Sequence, residues 1–267
     1  MNFFKVFDSH CHIDLLLTHE QQFPEKYLLF ECGGLSWAFA DQIRSWRDYP
    51  RYWQDLRAAV LRLRANGLPF YYLVGIHPRC IPGDLQDESS LPTLVDEALQ
   101  EHMCDPLCRG LGELGLDSGS QDEYKVLGWQ LKWSLSRLPK DKRIGIHTPR
   151  KNKMAVTKKI LEFLSRYQDL KDRIVIDHLT PEIWDLLSQE PYMLGMTLQD
   201  GKASLGDLMT LLDQQPQLVS RLMLNSDAAV RLSEPYLDLI QGNLELLDQF
   251  QEMLLWRNAV SFFEIPL

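Results

Sequence analysis

The sequence predicts an α/β protein, a single (β/α)8 barrel spanning residues 1–267, and three observations predict it. Eight short runs dense in apolar residues recur along the 267-residue chain. Longer segments with helical spacing separate them, which is the alternation of a parallel-sheet protein. No glycine-rich phosphate fingerprint follows the first run, so the main signature of the competing open, doubly wound sheet is missing. Eight strands alternating with helices over about 250 residues fit the TIM-barrel pattern, whose active site lies at the C-terminal ends of the strands.

The strand candidates, in order, are KVFDSHCHI (5–13), YLLFECGG (27–34), FYYLVGIHP (70–78), CRGLGELGLD (108–117), RIGIHTP (143–149), RIVIDHL (173–179), YMLGMTL (192–198) and RLMLNSDA (221–228). Each is bounded by polar, Gly or Pro residues, as expected of strands buried on both faces. Helical spacing is read over 55–66, 90–102, 123–138, 152–167, 181–188, 205–212 and 235–255. In the fourth of these, Ile160, Phe163, Leu164 and Tyr167 mark one face. In the fifth, Thr180 is expected as N-cap with Pro181 at the first helical position. Residues 37–66 hold two helical pieces interrupted at Tyr49-Pro50, readable either as a core helix or as a lid.

Composition narrows the function classes. The chain is 45% hydrophobic and 24% charged, ordinary for a globular protein. Its net charge, 28 − 37 = −9, excludes a whole-surface basic footprint for nucleic acid. A local basic stretch remains from Arg137 to Lys159, where Asp141 is the one acid. Five cysteines without a CxxC pair point to reduced thiols in a cytoplasm. The start, MNFFKVFDSH, carries no long apolar segment of a leader, and no run of about 18 apolar residues suggests a membrane span. No obligate protein partner is indicated.

The chemistry sits at the predicted strand ends. His10 and His12 close the first strand, and the i, i+2 spacing turns both to one face, with Asp8 on the same side and Cys11 toward the helices. His77, Glu113, His147, His178 and Asp227 end later strands. Only His19 and His102, of seven histidines, fall outside this set. Buried imidazoles and carboxylates without partners are costly, so a common opening lined by them makes sense if cations hold them. Nitrogen and carboxylate donors suit Zn, Mn or Fe better than Mg. Six ligands exceed the usual three of one catalytic zinc, whereas two divalent ions sharing a carboxylate use them all.

The stretches DSHCHID, GIHP, GELGLD, IHTPR, IDHL and NSDA, with the late Asn258 near Phe262-Phe263, resemble the TatD family of metal-dependent hydrolases within the amidohydrolase-like superfamily. The resemblance implies a TIM barrel. It implies one metal on His10, His12 and Asp227, with Glu113 bridging to a second on His147 and His178. It also implies hydrolysis, in several relatives as a 3′–5′ exonuclease on DNA ends. Three positions depart from the family pattern. Ser118-Gly119 stand where many relatives carry an aromatic pair, Thr148-Pro149 push Arg150 one place on, and Ala229 stands where Pro is common.

On this reading Glu113 and Asp227 are the catalytic carboxylates, and Asp227 orients the attacking water and moves its proton. His77 and Arg150 are the substrate-binding candidates, with Lys151 and Lys153 beside Arg150. Asp14 and Asp117 read as structural. Trp37, Trp46 and Trp53 read as core rather than as base-stacking platforms. Asp84, Asp87 and Glu88 are candidates for a loop over the opening. The substrate is a phosphodiester, as in a DNA end; the alternative is a small molecule cut by an amidohydrolase, lactonase or phosphoesterase.

Overall fold

The computed structural model describes residues 5–40, 43–83, 90–242 and 244–266. Eight strands run as β1 (Val6–Cys11), β2 (Cys32–Ser36), β3 (Phe70–Val74), β4 (Cys108–Gly115), β5 (Arg143–His147), β6 (Ile174–Ile176), β7 (Met193–Thr197) and β8 (Leu222–Asn225). They pair in sequence order and all in parallel. Past the strand ends, Asp227 N donates to His10 O at 2.9 Å and His12 N to Ala228 O at 2.8 Å. These bonds join β8 to β1, so the sheet curls into the expected (β/α)8 barrel. The helices packed outside are α1 (Ile13–His19), α2 (Phe23–Leu29), α3 (Tyr49–Ala65), α4 (Thr93–Met103), α5 (Gln121–Arg137), α6 (Lys153–Leu164), α7 (Trp184–Ser188), α8 (Leu205–Gln214) and α9 (Glu234–Gly242), while α10 (Asn258–Phe262) packs against the inner apolar shell.

Alternation along the strands sorts apolar side chains into two shells. Val6, Tyr72, Val74, Ile174, Ile176, Leu222 and Leu224 face the helices. Their neighbours Phe7, Leu73, Val175 and Met223 fill the barrel with Leu35, Trp37 and Phe263. Gly145 on β5 makes room for the Trp37 indole, because a Cβ there would lie 2.2 Å from the ring. The C-terminal segment closes the N-terminal mouth. Asn258 donates to Val219 O (2.7 Å) and Leu222 O (2.6 Å), and Arg109 Nε donates to Phe263 O (2.8 Å).

Several expectations are corrected. The second strand begins at Cys32, not Tyr27, because Pro24 sits in the first turn of α2 and carries Tyr27–Leu29 into that helix. The first strand ends at Cys11, and its register shifts between Asp8 and Cys11. That bulge breaks the period of two, so Asp8 does not share the facing of His10. It reaches instead toward α2, where Tyr27 donates to it at 2.7 Å. Thr180 caps no helix: residues 181–183 form a turn, and α7 begins at Trp184 after Ile183. Residues 235–255 are not one helix, since α9 stops at Gly242 and short 3-10 and π segments follow. The helix after Tyr49-Pro50 packs into the core and is not a lid: Ser45 and Asp48 form a capping box ahead of it, and Trp53, Leu56, Val60 and Leu63 of α3 are buried. Asp84, Asp87 and Glu88 lie outside the described residues. No helix among the described residues is long and apolar enough to cross a membrane.

Candidate metal centre

Glu113 stands at the middle of the C-terminal rim, and its two oxygens serve different groups. Oε2 lies 3.5 Å from His10 Nε2 and 3.8 Å from His12 Nε2. Oε1 lies 2.6 Å from His147 Nδ1, 3.1 Å from His178 Nε2 and 3.7 Å from His77 Nε2. Asp227 closes the first group, with Oδ1 3.0 Å from His12 Nε2 and 3.6 Å from His10 Nε2. The strand ends explain the convergence. His147 ends β5, and Glu113 lies inside β4. His178 and Asp227 follow β6 and β8 in left-handed backbone, at φ 62° and 45°. Such conformations are uncommon in residues other than glycine and cluster where side chains must be aimed.

Bonds on the far side of each ring decide which nitrogen faces inward. A carbonyl or carboxylate only accepts, so His12 Nδ1–H donates to Trp37 O (2.9 Å), and His10 Nδ1–H donates to Asp177 Oδ2. Asn225 Nδ2 donates to Asp177 Oδ1 (2.8 Å), and Thr197 donates its hydroxyl proton to Asn225 Oδ1 (2.7 Å). Thr197 Oγ1 is left to accept from His178 Nδ1–H at 2.7 Å. One hydrogen-bonded chain thus joins His10 to His178 and turns both Nε2 lone pairs toward Glu113. Outer partners of this kind fix ring orientation in metal sites. Gly195 leaves space for the Asp177 carboxylate, since a Cβ there would come within 2.0 Å of Oδ1. Trp37 stacks on His10 with centroids 4.1 Å apart.

The electrostatics call for positive charge. Burial works against ionising Glu113, yet the surrounding histidines, His77 and His10 foremost, hold it well below the carboxylate range. Burial also opposes charge on Asp227, but Lys202 and His12 hold it ionised. Burial alone would keep His10 neutral; Glu113 and Asp177 push it up to about 10. Burial pushes His77 down to about 4, and burial with Lys202 pushes His178 down to about 3. Buried anions therefore face His77 and His178 as neutral rings, and without an ion a proton on His10 and the Lys202 ammonium offset them. His10 Nε2 and His77 Nε2 are buried without a hydrogen-bond partner. Three sets of ligand atoms lie within 4.8 Å of one another: His10, His178 and Asp227; His10, His12 and Glu113; His77, Glu113 and His147. Orphaned imidazole nitrogens beside ionised carboxylates fit a divalent metal.

All six expected ligands thus meet at one rim. His77 joins them: its Nδ1 accepts from Arg79 N at 3.0 Å, and its other nitrogen faces Glu113. Arg150 lines the adjoining cavity of about 390 Å³ and donates to Gln199 Oε1 at 2.6 Å. Asp117, expected to be structural, stands 3.4 Å from His147 Nε2 and 3.6 Å from Arg79. Asp8 accepts from Ser226 N at 3.0 Å and so braces the turn that carries Asp227. Trp37, Trp46 and Trp53 are buried. Sequence reasoning missed Asp177 and Lys202. An acid inside the apolar run VIDHL was a usable signal for the first. Lys202 lies in a polar loop that reads as solvated surface, yet its ammonium donates to Asp227 Oδ2.

A parallel barrel whose strand ends bring histidines and carboxylates into one buried cluster defines a TIM-barrel protein with a site fit for divalent metal. The chain is 30% identical to a TatD-like protein of Archaeoglobus fulgidus, covering 97% of this chain and 100% of that one, with a TM-score of 0.71. It belongs to the TatD-like family. It is also 30% identical over 154 residues to an uncharacterized metal-dependent hydrolase of Methanocaldococcus jannaschii, and that match spans 57% of this chain and little more than half, 56%, of the relative. The fold alone is shared with a 5-carboxyvanillate decarboxylase of Novosphingobium aromaticivorans (11% identity, 92% of this chain and 81% of that one, TM-score 0.60). No protein-family profile matches the chain.

Proposed function

We propose that this chain is a hydrolase dependent on two divalent ions, Zn, Mn or Fe in preference to Mg, acting on phosphodiesters such as nucleic-acid ends. The observation that carries the reading is the division of Glu113: one oxygen turns to His10 and His12, the other to His147 and His178. On this reading His10, His12 and Asp227 hold one ion, His147 and His178 the other, and Glu113 bridges them. When bound, the ions supply electrostatic polarisation of the scissile group and acidify water.

The chain's own residues do the rest. Asp227 has 13% of its side chain exposed against 2% for Glu113, so Asp227 is the carboxylate that reaches a water in the cavity. It orients that water and accepts its proton at a carboxylate oxygen. Glu113 stays ionised and fixes the spacing of the two halves. Arg79, Arg150 and Arg231 line the cavity and present cations to a phosphate. His77 orients the rim through Glu113. Free thiols at all five cysteines support a cytoplasmic setting. A small-molecule ester, lactone or amide is the second reading, favoured by a cavity of about 390 Å³, which is the size of a small-ligand site.

The test is metal analysis of the purified protein, then assays of phosphodiester, phosphomonoester, lactone and amide substrates with and without chelator. Chelator-sensitive cleavage of DNA ends is expected. Cleavage confined to lactones or amides would select the second reading. Protein with bound ions that cleaves none of the four would remove both.

A further inference from the structure

Lys202 and Arg150 line two spaces at once. On one side is the metal-centre cavity of about 390 Å³; on the other is a recess of about 200 Å³ that also takes in Lys153, Thr180 and Glu182. The recess gathers three cations against one acid, in a chain whose overall charge is −9. The acid is engaged elsewhere, because Glu182 Oε1 accepts from Met154 N at 2.9 Å.

Lys153 is 5% exposed, and its ammonium donates to a neutral hydroxyl, Thr148 Oγ1, at 2.9 Å. An ammonium has three protons to give. Among the described residues no carboxylate lies within 4.0 Å of it. Thr180 is 9% exposed, and its hydroxyl is buried without a partner. Arg150 bonds an amide, Gln199, and pairs with no acid among the described residues. A buried ammonium without an acid partner is destabilising, and burial with the neighbouring Lys202 charge pushes Lys153 down to about 7.

We propose that Arg150, Lys153, Thr180 and Lys202 form an anion subsite beside the metal centre, which binds a phosphate or carboxylate carried by the substrate a few bonds from the one that is cleaved. The inference rests on the hydrolase reading, since Lys202 touches Asp227 and so ties the recess to the reacting end. It narrows the substrate to molecules with a second anionic group.

Inorganic phosphate and malonate, titrated by calorimetry into the zinc-loaded protein, test it. Phosphate is expected to bind in two classes, one at the ions and one in the recess. Lys153→Met is expected to weaken the recess class alone by about tenfold or more, the worth of one charge-assisted contact, whereas Arg150→Met, whose guanidinium faces both spaces, weakens both classes. Selenate soaked into crystals of the loaded protein should give anomalous density near Lys153 Nζ. Recess binding by phosphate alone assigns a phosphate, and by malonate alone a carboxylate; both keep the subsite. A single class for both probes, or selenate at the ions only, overturns it. Thr180→Val keeps the side-chain shape, removes the unpartnered hydroxyl and touches only the recess, so it keeps the test sound if the buried Lys153 variant does not fold. Hydrolytic activity without a second anion class would remove the subsite and keep the hydrolase; the second class without any hydrolysis would remove the hydrolase and keep the anion site.

Discussion

At the N-terminal mouth of the barrel, Phe262, Phe263 and Ile265 pack into the inner apolar shell, and Arg109 and Asn258 tie that plug to the starts of β4 and β8. At the C-terminal mouth the same eight strands carry imidazoles and carboxylates that are buried almost as completely. Trp37 is the floor between the two ends. One face stacks on His10, and its edge meets Phe263 with centroids 6.5 Å apart. Below it, Arg109 and Asn258 satisfy backbone carbonyls and Arg143 pairs with Glu264, although Arg143 Nε lacks a partner and Glu264 sits at φ 51°. Above it, the partnerless nitrogens are imidazoles facing carboxylates, and His178 and Asp227 sit in left-handed backbone. The lower mouth is arranged for stability, and the upper mouth gives up stability for a binding geometry.

Substitutions at the two mouths should therefore separate activity from stability. The largest effect is expected from Asp227→Asn, which keeps the shape of the side chain and removes the proton acceptor. Turnover should fall by about 10²–10⁴-fold while circular dichroism shows a native fold. A variant as fast as wild type would end the role given to this carboxylate. Phe263→Ala makes the opposite test. Loss of a buried ring should cost about 3–5 kcal/mol in denaturant unfolding. Turnover per folded molecule should be unchanged, and a large fall in it would mean that the two mouths are not independent.

Gly195→Ala probes the layer between them. The added methyl would press on Asp177, and through it on His10 and the chain to His178. Overpacking should destabilise by about 1–3 kcal/mol, and the disturbed support should weaken divalent-metal binding by about 10–100-fold. Unchanged metal affinity in a competition titration would show that Asp177 does not orient the ring.

The same contrast governs what the sequence made legible. Strand and helix alternation is local, and so are HxH, GELGLD and NSDA; the barrel and the six rim residues were readable from them. His10 and Asp177 are 167 residues apart, so their contact has no local trace. The bulge between Asp8 and Cys11 is equally silent, because DSHCHID fits a period of two up to the point where pairing with β2 shifts. Tyr27 reads as a strand residue and lies in a helix because its ring packs on Phe23 and its hydroxyl reaches Asp8. Lys202 was hidden by composition: LQDGKAS looks like a solvated turn, and only the fold turns its ammonium inward.

Lys153 gives the smallest and most specific effect. Its pKa is about 7 in the folded chain, against about 10.4 when unfolded. Burial is the main cause. Lys202 and Arg150 add repulsion, and Asp177 and Glu182 partly offset it. Between those two values the unfolded chain binds more protons, so this residue makes stability rise with pH from about 7 to about 10.4. Below the folded value its penalty is complete. Lys153→Met carries no such charge, so at pH 6 the variant should melt above wild type by about 2–4 °C, the shift given by about 1 kcal/mol in a chain of this size class. The difference should narrow as pH rises toward 10. Phosphate at pH 6 should narrow it as well, by stabilising the wild type more than the variant. A gap independent of both pH and phosphate would mean that the ammonium is already satisfied within the fold.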